Sequence, residues 1–355
     1  MRVRTSGLGG SRSSKLRPSR REFLIGAGSL LLIGTAGCGV TGRDTGDTAS
    51  GTRTVEHKYG ATEVPAEPRR VLSLGYQEHD AIFALGVEPI AVRYWFGDED
   101  DVIFPWAEDE AGDADPEILN MPFGELNFER IAALEPDLIL GIYSGITEDE
   151  YETLSEIAPT VAQPGDYIDF GVPWREHTLL VGRALGREER AAELVEEVER
   201  RFQAVREEHP EFEGATVAVA TYAGGGEISF FASQDIRARF FTDLGFTIPG
   251  ELDEIAGDQF FGTISGERLD LLDRDVLVWN QLSLTEGGRE AIESDPLIRR
   301  LTAAREGRMV FVEGVLDDAL QFNTVLSLPF LLERITPMLA AAIDGDPETE
   351  VPPAS

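Results

Sequence analysis

The side chains with most to offer chemically are aromatic and cationic, and they gather where apolar runs end. Arg93-Tyr94-Trp95-Phe96 closes the run from Val87 to Val92, and Tyr143 and Ser144 follow Leu138 to Ile142. Trp279 and Asn280 close Val276 to Trp279 in the same way. Tyr222 and three glycines follow Thr216 to Thr221, with Phe230, Phe231, Arg237 and Arg239 shortly after. At the carboxyl edge of open α/β sheets such groups meet ligands; the bland alternative is that they pack loop against sheet. Signatures of covalent chemistry are missing. His57, His79, His177 and His209 form no HxH, HExxH or Cys-His pattern, and no GxSxG elbow occurs. Gly224-Gly225-Gly226 is not followed by Gly-Lys-Ser/Thr, which argues against a phosphate loop. Glu78-His79-Asp80 reads as a surface cluster at a helix start, because consecutive helical residues point in different directions. The acid-rich stretch Asp98 to Asp115 lacks calcium-loop spacing and reads as a solvated loop. Binding is therefore the leading reading, with an exported α/β hydrolase as the alternative from another class.

The elements that position these residues come in two similar sets. Asn127-Phe128-Glu129-Arg130-Ile131 to Leu140 and Ser265-Gly266-Glu267-Arg268-Leu269 to Val278 each give a capping residue, Glu-Arg, apolar residues at helical spacing, an Asp and a short buried strand. Arg70 to Val92 and Ala215 to Pro249 each read strand, loop, helix, Leu-Gly turn and strand. Between the sets lies Glu188 to Glu208, with Ala191, Leu194, Val195, Val198, Phe202 and Val205 on one helical face. Gly186 can close the preceding helix and Pro210 ends this one. The reading is α/β: two similar lobes, each a small mainly parallel sheet flanked by helices, joined by one long helix, with a cleft between them. The domains are 1–37 leader, 38–54 flexible tether, 55–186 N-terminal lobe, 187–209 linker helix, 210–345 C-terminal lobe and 346–355 tail. Gly314 to Phe322 reads as a loop and Leu326 to Ala342 as an apolar closing helix.

The chain has 355 residues, enough for two cores, and a formal charge of −34 that argues against a nucleic-acid partner. The first 37 residues are basic, so the remainder is more acidic still. Ser19-Arg20-Arg21-Glu22-Phe23-Leu24 resembles the twin-arginine export motif, and the apolar run Ile25 to Ala36 is too short to span a bilayer. Thr35-Ala36-Gly37-Cys38 resembles the bacterial lipobox, although Thr35 departs from the usual Leu. Cys38, the only cysteine, would then be lipidated, and a cleaved signal with an incidental thiol is the alternative.

The leader, the two similar lobes and the joining helix together resemble the substrate-binding proteins of iron-siderophore, haem and cobalamin ABC importers, over about residues 55 to 342. The resemblance implies a non-enzymatic monomer with no resident cofactor or metal. Such a protein would be lipid-anchored at Cys38 on the outer face of the cytoplasmic membrane, and would carry a ferric siderophore to an ABC permease dimer. Haem or cobalamin is the alternative ligand. Carried over residue by residue, the resemblance makes Glu129 and Glu267 the permease-docking acids; each could instead be an acid favoured by a helix's first turn. It places the ligand between the lobes, with Tyr76, Arg93, Trp95 and Tyr143 from one lobe and Tyr222, Arg237, Phe261 and Trp279 from the other as candidate contacts.

Overall fold

Residues 51–96, 102–224 and 227–354 are described in the computed structural model of the chain; the leader, the export motif and Cys38 lie outside them. A hairpin of β1 (Thr52–His57) and β2 (Gly60–Pro65) precedes the first lobe. That lobe is a five-stranded sheet of β3 (Val71–Ser73), β4 (Ala91–Arg93), β5 (Glu117–Leu119), β6 (Leu138–Gly141) and β7 (Thr160–Ala162), in the order β5-β4-β3-β6-β7, with every pairing parallel. The second lobe contains β8 (Val217–Gly224), β9 (Glu227–Phe231), β10 (Phe261–Ser265), β11 (Val276–Trp279) and β12 (Met309–Phe311), in the order β10-β9-β8-β11-β12. Here β8, β11 and β12 run parallel, while β9 and β10 add an antiparallel flank. Strands β3, β6, β7 and β11 are buried along their whole length, as parallel strands covered on both faces must be.

The long helix Glu188–Glu208 is continuous over its 21 residues and buries Ala191, Leu194, Val195, Val198 and Phe202. At 1.5 Å per residue it spans about 30 Å. Its exit from the preceding helix Trp174–Leu185 is made by Gly186 in the left-handed region, φ 68°. The two helices approach so closely at Gly182 that a Cβ there would stand 2.3 Å from the Ala191 methyl. Phe202 stacks on Trp174 at 6.3 Å and meets Phe240 of the second lobe edge-on at 5.7 Å. Full burial of each such apolar side chain is worth roughly 1.5–3 kcal/mol.

The repeated motif performs the same task in both lobes. Asp137 accepts hydrogen bonds from the Arg69 and Arg70 amides at 2.8 Å, just before β3. Asp275 accepts from the Thr216 amide and hydroxyl at 2.8 and 2.7 Å, just before β8. Each carboxylate thus fixes the start of a central strand against the end of a Glu-Arg segment. The copies differ locally: Asn127 caps the helix Phe128–Ala133 by accepting from the Arg130 amide at 2.9 Å, whereas Gly266–Leu272 is a kinked 3₁₀ segment without a side-chain cap.

Three local expectations are corrected. Gly314–Phe322 is a helix, not a loop, and buries Leu316, Ala319, Leu320 and Phe322 at helical spacing. Strand β4 is Ala91–Arg93, shorter than Val87 to Val92, because Pro89 cannot join a ladder. The described part of the acidic stretch is not wholly solvated: it contains a short helix, Glu108–Ala111, and buries Phe104, Trp106 and Ala107.

Candidate functional site

All five parallel strands of the first lobe end at one edge, and residues just beyond those ends wall a cavity of about 470 Å³. Tyr76 follows β3, Tyr94 and Trp95 follow β4, Asn120, Pro122 and Phe123 follow β5, Tyr143 follows β6, and Phe170 lies beyond β7. The opposing wall comes from the second lobe: Arg237, near the start of the helix Ile236–Asp243, and Phe260, just before β10. The rings form a continuous surface. Tyr76 faces Trp95 at 5.4 Å and Phe170 at 6.4 Å, and Tyr143 meets Phe170 at 5.2 Å.

Of the sequence candidates, Tyr76, Trp95, Tyr143 and Arg237 are brought together as lining residues. Arg93 stands behind the lining, 1% exposed. Its guanidinium lies 4.4 Å from the Tyr76 ring centroid and donates to the Met121 and Pro122 carbonyls at 2.6 and 2.7 Å. It therefore backs one wall and pins the loop that carries Phe123. The structure places the other three away from the lining. Tyr222 donates its hydroxyl to Asp295 at 3.0 Å. Phe261 is 40% exposed beside the lining Phe260. Trp279 is the last residue of a fully buried strand, and its indole N–H faces the Met309 sulfur at 3.4 Å.

A buried carboxyl organises the wall. The Glu78 side chain accepts from the Tyr143 amide at 2.7 Å and from the Gln77 amide at 3.1 Å, while the Tyr76 amide donates to the Tyr143 carbonyl at 3.1 Å. The loops bearing Tyr76 and Tyr143 are thus tied through one group. Gly75 makes room for it, since a Cβ there would fall 1.9 Å from Glu78 Oε1. Burial pushes the Glu78 pKa up to about 7. Glu78-His79-Asp80 is accordingly not a surface cluster: all three side chains are buried, and Glu78 and Asp80 take hydrogen bonds from distant segments. Asp80 Oδ2 accepts from Trp106 Nε1 at 2.8 Å and from the Thr324 hydroxyl of the second lobe, and burial raises its pKa to about 7. Beside it, Phe322 inserts among Trp95, Phe96, Phe104, Trp106 and His79, with ring centroids 4.7 to 5.5 Å away. Trp95 therefore has one side on the cavity and another on an interlobe contact. His79 is held neutral, its pKa pushed by burial down to about 3.

Across the cleft, Arg237 is fixed before any ligand arrives. Nε and Nη2 donate to the two oxygens of the buried Asp235 at 2.8 and 2.6 Å, and Nη1 donates to Gln321 at 2.7 Å. Burial is the largest single influence and would lower its pKa, but the charge and hydrogen bonds of Asp235, with Tyr143 and Asp317, together outweigh it and raise the pKa. Behind the pair, Gln321 donates to Asp317 at 3.1 Å and accepts from Gln281 at 3.2 Å. Among the described residues no group of three or more His, Cys, Asp or Glu is placed to hold a metal ion. No described helix is long and apolar enough to cross a membrane. Glu129 and Glu267 are both exposed, one in each copy of the repeated motif.

The profile of a family described as periplasmic binding protein matches residues 71–315. Among curated proteins, the probable siderophore-binding lipoprotein YfiY of Bacillus subtilis strain 168 is 30% identical over 239 residues, covering 65% of this chain and 69% of that protein. A periplasmic solute binding protein from Mycobacterium smegmatis superposes with a TM-score of 0.73 at 35% identity, over 82% of this chain and 99% of that one. PiaA of Streptococcus pneumoniae TIGR4, solved in complex with ferrichrome, gives 0.72 at 28% identity over the same shares.

Proposed function

The chain belongs to the periplasmic binding protein family, whose members bind solutes rather than transform them, and from that premise we propose that it captures a ferric siderophore outside the cytoplasm and delivers it to an ABC importer. The observation that carries this reading is the aromatic cavity at the ends of β3 to β7, faced by a pre-fixed guanidinium from the other lobe. An iron chelate of this kind is bulky and largely apolar at its rim, so it gains from ring contact on several sides and from a few placed polar groups. The names of the Bacillus and Streptococcus relatives support the same ligand class.

In this reading Tyr76, Trp95, Tyr143 and Arg237 touch the ligand, and Arg93 holds Tyr76 and the Phe123 loop in place. Glu129 and Glu267, exposed on matching motifs, dock the two halves of a permease. The twin-arginine leader exports the chain and Cys38 carries its lipid anchor. Titration of the protein's tryptophan fluorescence with ferrioxamine, ferric citrate, a ferric catecholate, haem and cobalamin tests the proposal. Saturable quenching by at least one ferric siderophore is expected; saturation by haem or cobalamin alone would replace the ligand class.

A further inference from the structure

Ferric siderophores differ in charge more than in size. Three singly charged hydroxamates cancel the charge of ferric iron, and a pendant ammonium makes the complex a cation. Three doubly charged catecholates leave a trianion. Whether a cleft accepts one or the other is decided by the cations it can turn toward the ligand, because like charges or unanswered charges in a partly buried site cost several kcal/mol.

Arg237 is the only cation among the described lining residues, and its charge is already answered. It is paired in two-point fashion with Asp235, which is wholly buried, so the two side chains present a neutral unit to the cleft. The remaining N–H groups on that fork can still donate to a carbonyl or hydroxamate oxygen. Arg93 faces the back of Tyr76 and spends donors on two carbonyls, so it cannot reach a ligand without releasing the loop that carries Phe123. Apart from the uncharged Asn120 and Pro122 the rest of the wall is aromatic, and the negative faces of such rings attract cations. At longer range the chain's formal charge of −34 repels an approaching anion.

We propose that the cleft selects electroneutral or cationic ferric tris-hydroxamates against trianionic ferric tris-catecholates, and that the Asp235–Arg237 pair sets this selectivity. The inference rests on the ferric-siderophore reading of the site. Asp235 acts by positioning and neutralising Arg237. Its carboxylate also accepts from the Arg237 amide at 2.8 Å, a bond that Asn can keep through its amide oxygen. Asp235→Asn therefore unmasks the guanidinium charge while retaining the helix cap.

The test is a fluorescence-quenching titration with ferrioxamine B, ferrichrome and ferric enterobactin at low and high sodium chloride. The two hydroxamates should bind roughly 100-fold more tightly than the catecholate at physiological salt. Added salt should narrow the gap by screening the repulsion of the trianion. In Asp235→Asn the preference should shrink by about tenfold or more through a gain for the catecholate, which a merely structural defect would not produce. Equal or tighter binding of ferric enterobactin by the wild-type protein overturns the selectivity. Failure of all three chelates, and of ferric citrate titrated beside them, to bind overturns the siderophore reading itself.

Discussion

Replacing Glu78 by Gln perturbs the group that ties the two aromatic loops together, and its consequences can be worked out from four atoms. The carboxylate accepts from the Tyr143 and Gln77 amides on its two oxygens. The Gln side chain offers one oxygen and one NH₂, so one buried N–H loses its acceptor, at a cost of about 1–3 kcal/mol. Burial raises the Glu78 pKa from its ordinary 4.5 to about 7. The folded state then holds this proton more tightly than the unfolded chain, and the stability it contributes is complete below about pH 4.5 and lost as pH rises through 7. The interval corresponds to about 3 kcal/mol, falling by about 1.4 kcal/mol per pH unit. Asp80, raised from 3.8 to about 7 by burial, adds a second slope of the same sign in the same window. The Gln variant should therefore be less stable than the wild type near pH 5 and close to it near pH 8, the gap between the two closing by about 1.4 kcal/mol per pH unit, while His79 and His177, lowered by burial to about 3 and about 4, slope the other way in both proteins alike. Urea denaturation from pH 5 to pH 8 reads both quantities. Equal slopes in the two proteins would refute the claim that Glu78 titrates beneath the loops.

Other perturbations separate the parts of the site. Asp80→Ala, measured by denaturation at pH 5 where the carboxyl is protonated, leaves Trp106 Nε1 and the Thr324 hydroxyl without their partner and should cost about 2–4 kcal/mol. An unchanged midpoint would mean that this interlobe bond contributes nothing. Trp95→Ala removes a ring that touches both the cavity and Phe322; siderophore affinity should fall by about tenfold or more, and full retention would exclude Trp95 from the contact surface. Glu129→Ala combined with Glu267→Ala should abolish cellular uptake while leaving ligand affinity in solution unchanged. Normal uptake by that double variant would return both residues to a helix-start role.

The two-lobe plan was legible because it is written in local pattern. The linker helix follows from apolar spacing between Gly186 and Pro210, and its observed bounds are Glu188–Glu208. The repeated Glu-Arg segments end in Asp137 and Asp275, which anchor equivalent central strands. What stayed hidden depends on distant partners. Glu78-His79-Asp80 is wholly polar and invites a surface assignment, yet Tyr143 lies 65 positions and Thr324 lies 244 positions from the carboxylates they serve. Asn120, Pro122 and Phe123 follow β5, a strand of only three residues, too short to leave a periodic signal. Phe170 lies beyond β7, another three-residue strand. On β10 the candidate was one position off, Phe261 where Phe260 lines the cavity, and a shift of one residue turns a side chain to the other face. Trp279 looked like an edge residue because it ends an apolar run; it remains within the ladder, paired with Phe311 and Ala220.

The most direct measurement is the iron anomalous signal from crystals grown with ferrioxamine B at a concentration that saturates the protein in solution. A single peak inside the aromatic cleft, between Trp95 and Arg237, is the predicted result. Iron located elsewhere on the chain, or an ordered cleft without iron under those conditions, would contradict the assignment of this cavity as the place where the chelate is carried.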